Sequence, residues 1–264
     1  MSASVLDSAR RAQAQPALPV EPLLLSTVRV RTFLGSRLLT GATGFFLEQR
    51  ESLFLVTSRH VLYDEPTSHF PDRIELMVHT DPVNLTRTST VSLPLYDGGI
   101  ALWRQGRDSG GEVDVAALEL PRERLPAGSL LQAFDTSHLQ PPPGAVAVGA
   151  SLLLPSFPLG FYDTLHELPV VRQATLASSY GLRFQGNGYF LTDARTHRGS
   201  SGAPVVMPGP TGGHMDGWLL GVHSARMDIG GRDVRLDESL GLNCAWYADI
   251  LLTLTAEPGA ATGR

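Results

Sequence analysis

Arg198-Gly199-Ser200-Ser201-Gly202-Ala203-Pro204 is a glycine-flanked turn that runs straight into an apolar stretch, Ala203 to Met207. Glycine tolerates backbone conformations that a Cβ forbids. With one on each side of the serines, the chain can bend until the amide N–H groups of Gly199 and Ser201 point at one spot. Such a pair can hold an oxygen that is gaining negative charge, an effect of about 10²–10³ in rate per donor. Gly199 and Ser201 are therefore the candidate oxyanion hole and Ser201 the candidate nucleophile. A serine hydroxyl is a poor nucleophile at neutral pH and needs a nearby base.

Two upstream segments supply the missing groups. Val56-Thr57-Ser58-Arg59-His60-Val61 puts a histidine at the end of an apolar strand pattern. Imidazole titrates near neutral pH and can take a proton and return it. Glu112-Val113-Asp114-Val115-Ala116-Ala117-Leu118 brings a carboxylate into an alternating strand pattern. A carboxylate there would fix the imidazole tautomer and stabilise the imidazolium. Taken singly, each signal is weak. A lone histidine after a strand is more often packed or exposed, and a lone aspartate at a strand start is a turn cap. The three together, in the order His60, Asp114, Ser201, are specific.

Short strand patterns surround these motifs. They run over Ser26–Leu34, Gly44–Leu47, Ser52–Thr57, Ile74–Val78, Thr88–Leu93 and Val113–Leu120. After the proline-rich segment Gln140–Gly144, a second set covers Val146–Val148, Leu168–Ser178, Gly188–Asp193, Ala203–Met207, Trp218–Ser224 and Leu242–Trp246. Gly and Pro punctuate them at short intervals. Only Tyr247–Leu254 has a helical period. Many short strands with regular turns argue for an all-β sandwich or barrel. The expected organisation is a loose arm over 1–22, a β unit over 23–139 with His60 and Asp114, a linker at 140–145, a β unit over 146–254 with Ser201, and a tail at 255–264.

These motifs resemble the trypsin-like (chymotrypsin-fold) serine peptidases, above all the bacterial disulfide-free kind that includes the HtrA-type proteases. Thr57-Ser58-Arg59-His60 matches their Thr-x-x-His, Asp114 opens their Asp-Val-Ala-x-Leu, and Gly199 to Pro204 matches Gly-x-Ser-Gly-x-Pro. Leu191-Thr192-Asp193, Gly221-Val222-His223-Ser224 and Leu242-Asn243-Cys244-Ala245 fit as well, so the likeness covers roughly residues 26–254. It implies two six-stranded antiparallel β-barrels with a short C-terminal helix and an active site in the cleft between them. It also implies an acyl-enzyme mechanism on a protein or peptide substrate. One position departs from the zymogen-activated members. They carry an Asp immediately before the nucleophile, where this chain has Ser200, so activation through a freshly cut N-terminus is not expected.

The resemblance places Arg195, Thr196, Val222 and His223 at the substrate pocket. Trypsin carries an Asp six residues before its serine; here that position is Arg195, which argues against Lys or Arg before the cut. A Thr five residues before the serine with a Gly-x-His strand is similar to the glutamyl endopeptidases and the picornavirus-type proteases. That pairing implies cleavage after Glu or Gln, since a hydroxyl and an imidazole N–H can both donate to a side-chain oxygen. Two alternatives stay open: His223 packed in the core, and Arg195 facing solvent.

Composition narrows the other classes. The chain has 264 residues, 42% hydrophobic and 18% charged, with a net charge of −5. It is long enough to bury a core, and no Lys/Arg-dense stretch suits a nucleic-acid backbone. The single cysteine, Cys244, allows no internal disulfide and reads as a small core residue. No histidine pair has metal-site spacing, and neither metal nor cofactor is expected. The apolar cluster Leu23–Leu25 is too short for a signal-peptide core or a membrane span. The expected location is the cytoplasm, or outside the cell if a leader has been removed. An α/β-hydrolase elbow requires Gly where Ala203 stands and a base that follows the serine. The remaining alternative is a trypsin-fold binding module or effector held inactive until a regulatory partner appears.

Overall fold

A computed structural model of the chain describes residues 20–209, 215–227 and 240–256. Sixteen strands and three short helices make up about half of it. The first half contains α1 (Pro22–Leu25), β1 (Thr27–Leu34), β2 (Arg37–Gln49), β3 (Ser52–Thr57), α2 (Arg59–Leu62), β4 (Arg73–His79) and β5 (Thr88–Pro94). The small ribbon β6 (Tyr96–Asp97) and β7 (Ile100–Ala101) follows, then β8 (Trp103–Asp108), β9 (Gly111–Glu119) and β10 (Phe134–Asp135). The second half contains β11 (Ser151–Ser156), β12 (Val170–Thr175), β13 (Tyr189–Thr192), β14 (Pro204–Met207), β15 (Trp218–Arg226), β16 (Asn243–Tyr247) and α3 (Ile250–Leu254).

Two large sheets result. The first runs β5-β4-β1-β2-β3-β9-β8, and the second β12-β11-β14-β15-β16-β13. The second has the six expected strands. The first has eight, because β10 pairs in parallel with β2 through Phe134↔Leu47 and Asp135↔Glu48. Phe134 is buried edge-on against Phe45, with ring centroids 5.7 Å apart. That contact draws the short strand onto the sheet. Three further differences have local causes. Val146–Val148 is loop running into a turn, not strand, with Gly144 and Gly149 at positive φ on either side. Ser151–Ser156, outside the expected strands, is one despite Pro155: β11 meets β14 only at Leu153↔Val206, so the missing N–H disrupts little of that ladder. The polar Trp103–Asp108 is also a strand, at the sheet's edge.

Alternation along the strands builds three cores from one pattern. Val28, Val30, Phe46, Leu53, Leu55, Ile74, Leu76, Ala116 and Leu118 fill the first unit. Leu152, Leu154, Phe190, Val205, Leu220 and Ala245 fill the second. Between them lies a third core, made by Phe45, Leu47, Phe54, Val56, Val113, Val115 and Ala117 from the first sheet and Val206, Leu219, Val222, Leu251 and Leu254 from the second half. Central strands are thus buried on both faces, which is why Ser52–Thr57 reads as a continuous apolar run. α3 closes over the first sheet at Gly106, where an added Cβ would sit 3.3 Å from Ile250 and Leu254. The two halves pack as one body, and the polar ends of β3, β9, β14 and β15 meet at one end of the shared core.

Candidate active site

β3 carries its apolar run to Thr57, and the one-turn helix α2 then brings His60 back over β9. Asp114 alternates with Val113 and Val115, which face the shared core, so its carboxylate emerges on the opposite side. Both its oxygens bind His60. Oδ1 accepts the His60 backbone N–H at 2.8 Å, and Oδ2 lies 2.7 Å from Nδ1. The Ser224 hydroxyl also donates to Oδ2. Burial pushes the Asp114 pKa up, but the His60 ring and backbone and the Ser224 hydroxyl outweigh it and hold the group below the usual carboxylate value. Burial pulls His60 down, yet the hydrogen bond and charge of Asp114 leave it above 6.5. An ionised Asp114 accepts at Nδ1, which puts the neutral ring's proton there and leaves Nε2 free as a base.

The Ser201 turn is held by its glycines and by Thr43. Gly199 and Gly202 have φ of 94° and 86°. A Cβ on Gly202 would run into the Thr43 carbonyl and Thr57 Oγ1, and one on Gly199 into the Phe157 carbonyl. Both positions therefore need glycine for conformation and for space. Thr43 N–H donates to the Ser201 carbonyl at 3.0 Å, and Thr43 Oγ1 donates to the Gly199 carbonyl at 2.7 Å while accepting from Phe157 N–H at 3.1 Å. Gly202 N–H donates to the His223 carbonyl at 2.8 Å. Among the described residues, no hydrogen bond uses the N–H of Gly199 or of Ser201. Ser200 is buried with its hydroxyl 3.3 Å from Ser156, a neutral contact where an activating ion pair would otherwise stand.

Ser201 Oγ donates to the Ser224 carbonyl at 3.1 Å, and no hydrogen bond joins it to His60. Ser224 thus touches both ends of the constellation, its hydroxyl on Asp114 and its carbonyl on Ser201. A bulge explains how. His223 pairs with Ala245 and Ala225 with Cys244, so Ser224 is the extra residue on β15. A bulge re-aims the side chain it carries.

The pocket residues divide. Thr196 and His223 are buried. Burial pushes His223 down to about 4, the nearby His60 charge acts in the same direction, and Asp114 opposes them. Its Nδ1 is buried with no hydrogen-bond partner. Thr196 Oγ1 donates to Asn243 Oδ1 at 2.5 Å, and Asn243 Nδ2 donates to the Ala194 carbonyl at 2.5 Å. Val222 is a correction: it points away from His223 into the core between the sheets. Arg195 is exposed between buried Ala194 and Thr196. Thr43, Ser224 and Asn243 were not foreseen. The only trace in the sequence is a polar residue inside an apolar strand pattern, with nothing to say what it meets.

The sequence profile described as a trypsin-like peptidase domain matches residues 42–209, well over half the chain. The chain belongs to this family. The trypsin-like fold is also found in a solved neighbour, the serine endoprotease from Yersinia pestis. The two share 15% identity with a TM-score of 0.54, over 87% of this chain and 61% of that one. The chain thus spans less than two thirds of that protein, and the likeness carries the fold alone. No curated protein matches the chain. As a trypsin-like peptidase domain, the chain is all-β with a short C-terminal helix. No helix among its described residues is long and apolar enough to cross a membrane.

Proposed function

We propose that the chain is a serine endopeptidase that cuts peptide bonds through an acyl-enzyme, with Ser201 as nucleophile, His60 as base and Asp114 as the group that orients it. Ser201 Oγ leaves the Ser224 carbonyl and attacks the scissile carbon while His60 Nε2 takes its proton. The resulting oxyanion is held by Gly199 and Ser201 N–H. The C–N bond then breaks as His60 returns the proton to the leaving amine, and water repeats the sequence on the ester. One observation carries this reading: Asp114 grips His60 at ring and backbone while Ser224 joins that pair to Ser201. Reaction with a fluorophosphonate probe tests it. Wild type should label and cleave a denatured proteome, and Ser201→Ala should do neither; turnover retained in clean Ser201→Ala would refute it.

The buried pair Thr196 and His223 supports a preference for Glu or Gln before the cut. The Thr196 proton is committed to Asn243, so its oxygen can only accept there, which suits a Gln amide. The buried His223 Nδ1, which has no partner, suits a side-chain oxygen. Cleavage mainly after small apolar residues, unchanged in His223→Ala, would sink this preference. A second reading, a latent enzyme or effector awaiting a regulatory partner, rests on the Ser201 hydroxyl being engaged with Ser224 and not His60. Labelling of the isolated chain with no added factor would exclude it.

A further inference from the structure

Most arginines with defined partners on and around the first sheet are neutralised: Arg31 and Arg73 pair with Glu75, Arg59 with Glu112, Arg104 with Glu119 and Arg122 with Glu48. Arg29 is not. Among the described residues no carboxylate lies within ion-pair distance of it. Its guanidinium sits over the Tyr162 ring, 4.8 Å from the centroid, and Nη1 donates to the Tyr162 hydroxyl at 3.0 Å. Its Nε is buried and has no partner. A half-buried cation with no anion beside it is costly, and a carboxylate at its accessible Nη end offsets that cost.

The sheet register says where that anion would come from. Arg29 stands opposite Thr43 on β2, and both turn away from the first core, which Val28, Val30 and Ala42 fill. Thr43 is the residue whose N–H binds the Ser201 carbonyl. From Gly41 to Thr43, the only strand that pairs with β2 is β1; the far edge is taken at Thr43 by Ser201 and Thr57, and pairing with β3 starts at Phe45. Gly41 lies two residues from Thr43 and therefore presents its backbone along the same edge. Ser201 sits between this edge and β15, so a substrate whose acyl half follows β15 sends its leaving half past Gly41. Two glycines place no side chain over the outer, Nη2 end of the guanidinium there. A Cβ on Gly41 would lie 3.6 Å from Arg29 Nε, and one on Gly160 would lie 3.6 Å from Nη2. A substrate residue paired with Gly41 shows its side chain on the face that Gly41 leaves bare.

We propose that Arg29, braced by Tyr162, is a carboxylate-binding residue for the leaving half of the substrate, selecting Asp or Glu at the residue that pairs with Gly41, the second past the cut. This rests on the endopeptidase reading above. Peptides taken from the best site of a denatured-proteome digest, identical except for Glu or Gln at that residue, test it through the ratio of their kcat/KM values. In wild type the ratio should favour Glu by about tenfold, the lower end for a charge-assisted hydrogen bond at a half-buried site. It should shrink toward one as salt rises to about 1 M. In Arg29→Gln the ratio should be near one, with Arg29→Lys in between. A purely structural Arg29 would slow both peptides alike and leave the ratio unchanged. A wild-type ratio of one, or the same ratio in Arg29→Gln, overturns the inference while the peptidase reading stands. If Ser201 neither labels with fluorophosphonate nor cleaves any peptide, both fall together. The wild-type ratio and its salt dependence decide the matter even if the variants fail to fold.

Discussion

Replacing His223 with glutamine should remove an acid sensitivity built into the fold. His223 is held near 4, against 6.5 for a free imidazole. Between those values the unfolded chain binds a proton that the folded chain refuses, so stability falls as pH drops through that window. Each pH unit inside it costs about 1.4 kcal/mol, so wild type should lose about 2–3 kcal/mol from this group between pH 7.5 and pH 4.5. His60 runs the other way. Its raised value contributes stability below 6.5 that is lost as pH rises, and it is present in both proteins. The measurement is urea unfolding of His223→Gln and its parent, both carrying Ser201→Ala to prevent self-cleavage, at several pH values. The substitution will shift stability by a constant at neutral pH. The signal is the change in the difference, which should move in favour of His223→Gln by about 2–3 kcal/mol as pH falls. A difference that stays flat from pH 7.5 to 4.5 would refute the argument, because a histidine open to water would show no such trend.

Ser224→Ala should lower kcat/KM by about tenfold, from the loss of one hydrogen bond to the charged Asp114, with little change in melting temperature; an unaltered kcat/KM would remove Ser224 from the positioning of Asp114. In wild type, the acid limb of kcat/KM should lie above pH 6.5, because His60 is raised and must be neutral to act. Gly202→Ala should destabilise the fold by about 3 kcal/mol or more, since it combines a left-handed φ with contact against the Thr43 carbonyl. Thermal unfolding reads that directly.

Motifs whose chemistry is local could be read from sequence. The turn Gly199 to Pro204 needs glycine because of its own backbone, and the apolar run into His60 marks a strand end whatever lies beside it. Asp114 between two valines already states that it faces away from them. The position of β10, in contrast, depends on Phe134 meeting Phe45 across some ninety residues, and nothing in Ser151–Ser156 says that Pro155 lies where β11 and β14 share only one pair. The pocket shows the same division. Thr196 and His223 are buried, Val222 turns into the core between the sheets and Arg195 is exposed, because the strand's parity and the loop's course assign faces only once partners are in place. Ser224 is the sharpest case. It touches both Asp114 and Ser201 because a single extra residue on β15 breaks the register against β16. Nothing in Gly221-Val222-His223-Ser224 signals that slip, because a bulge is a mismatch between two strands and belongs to neither alone.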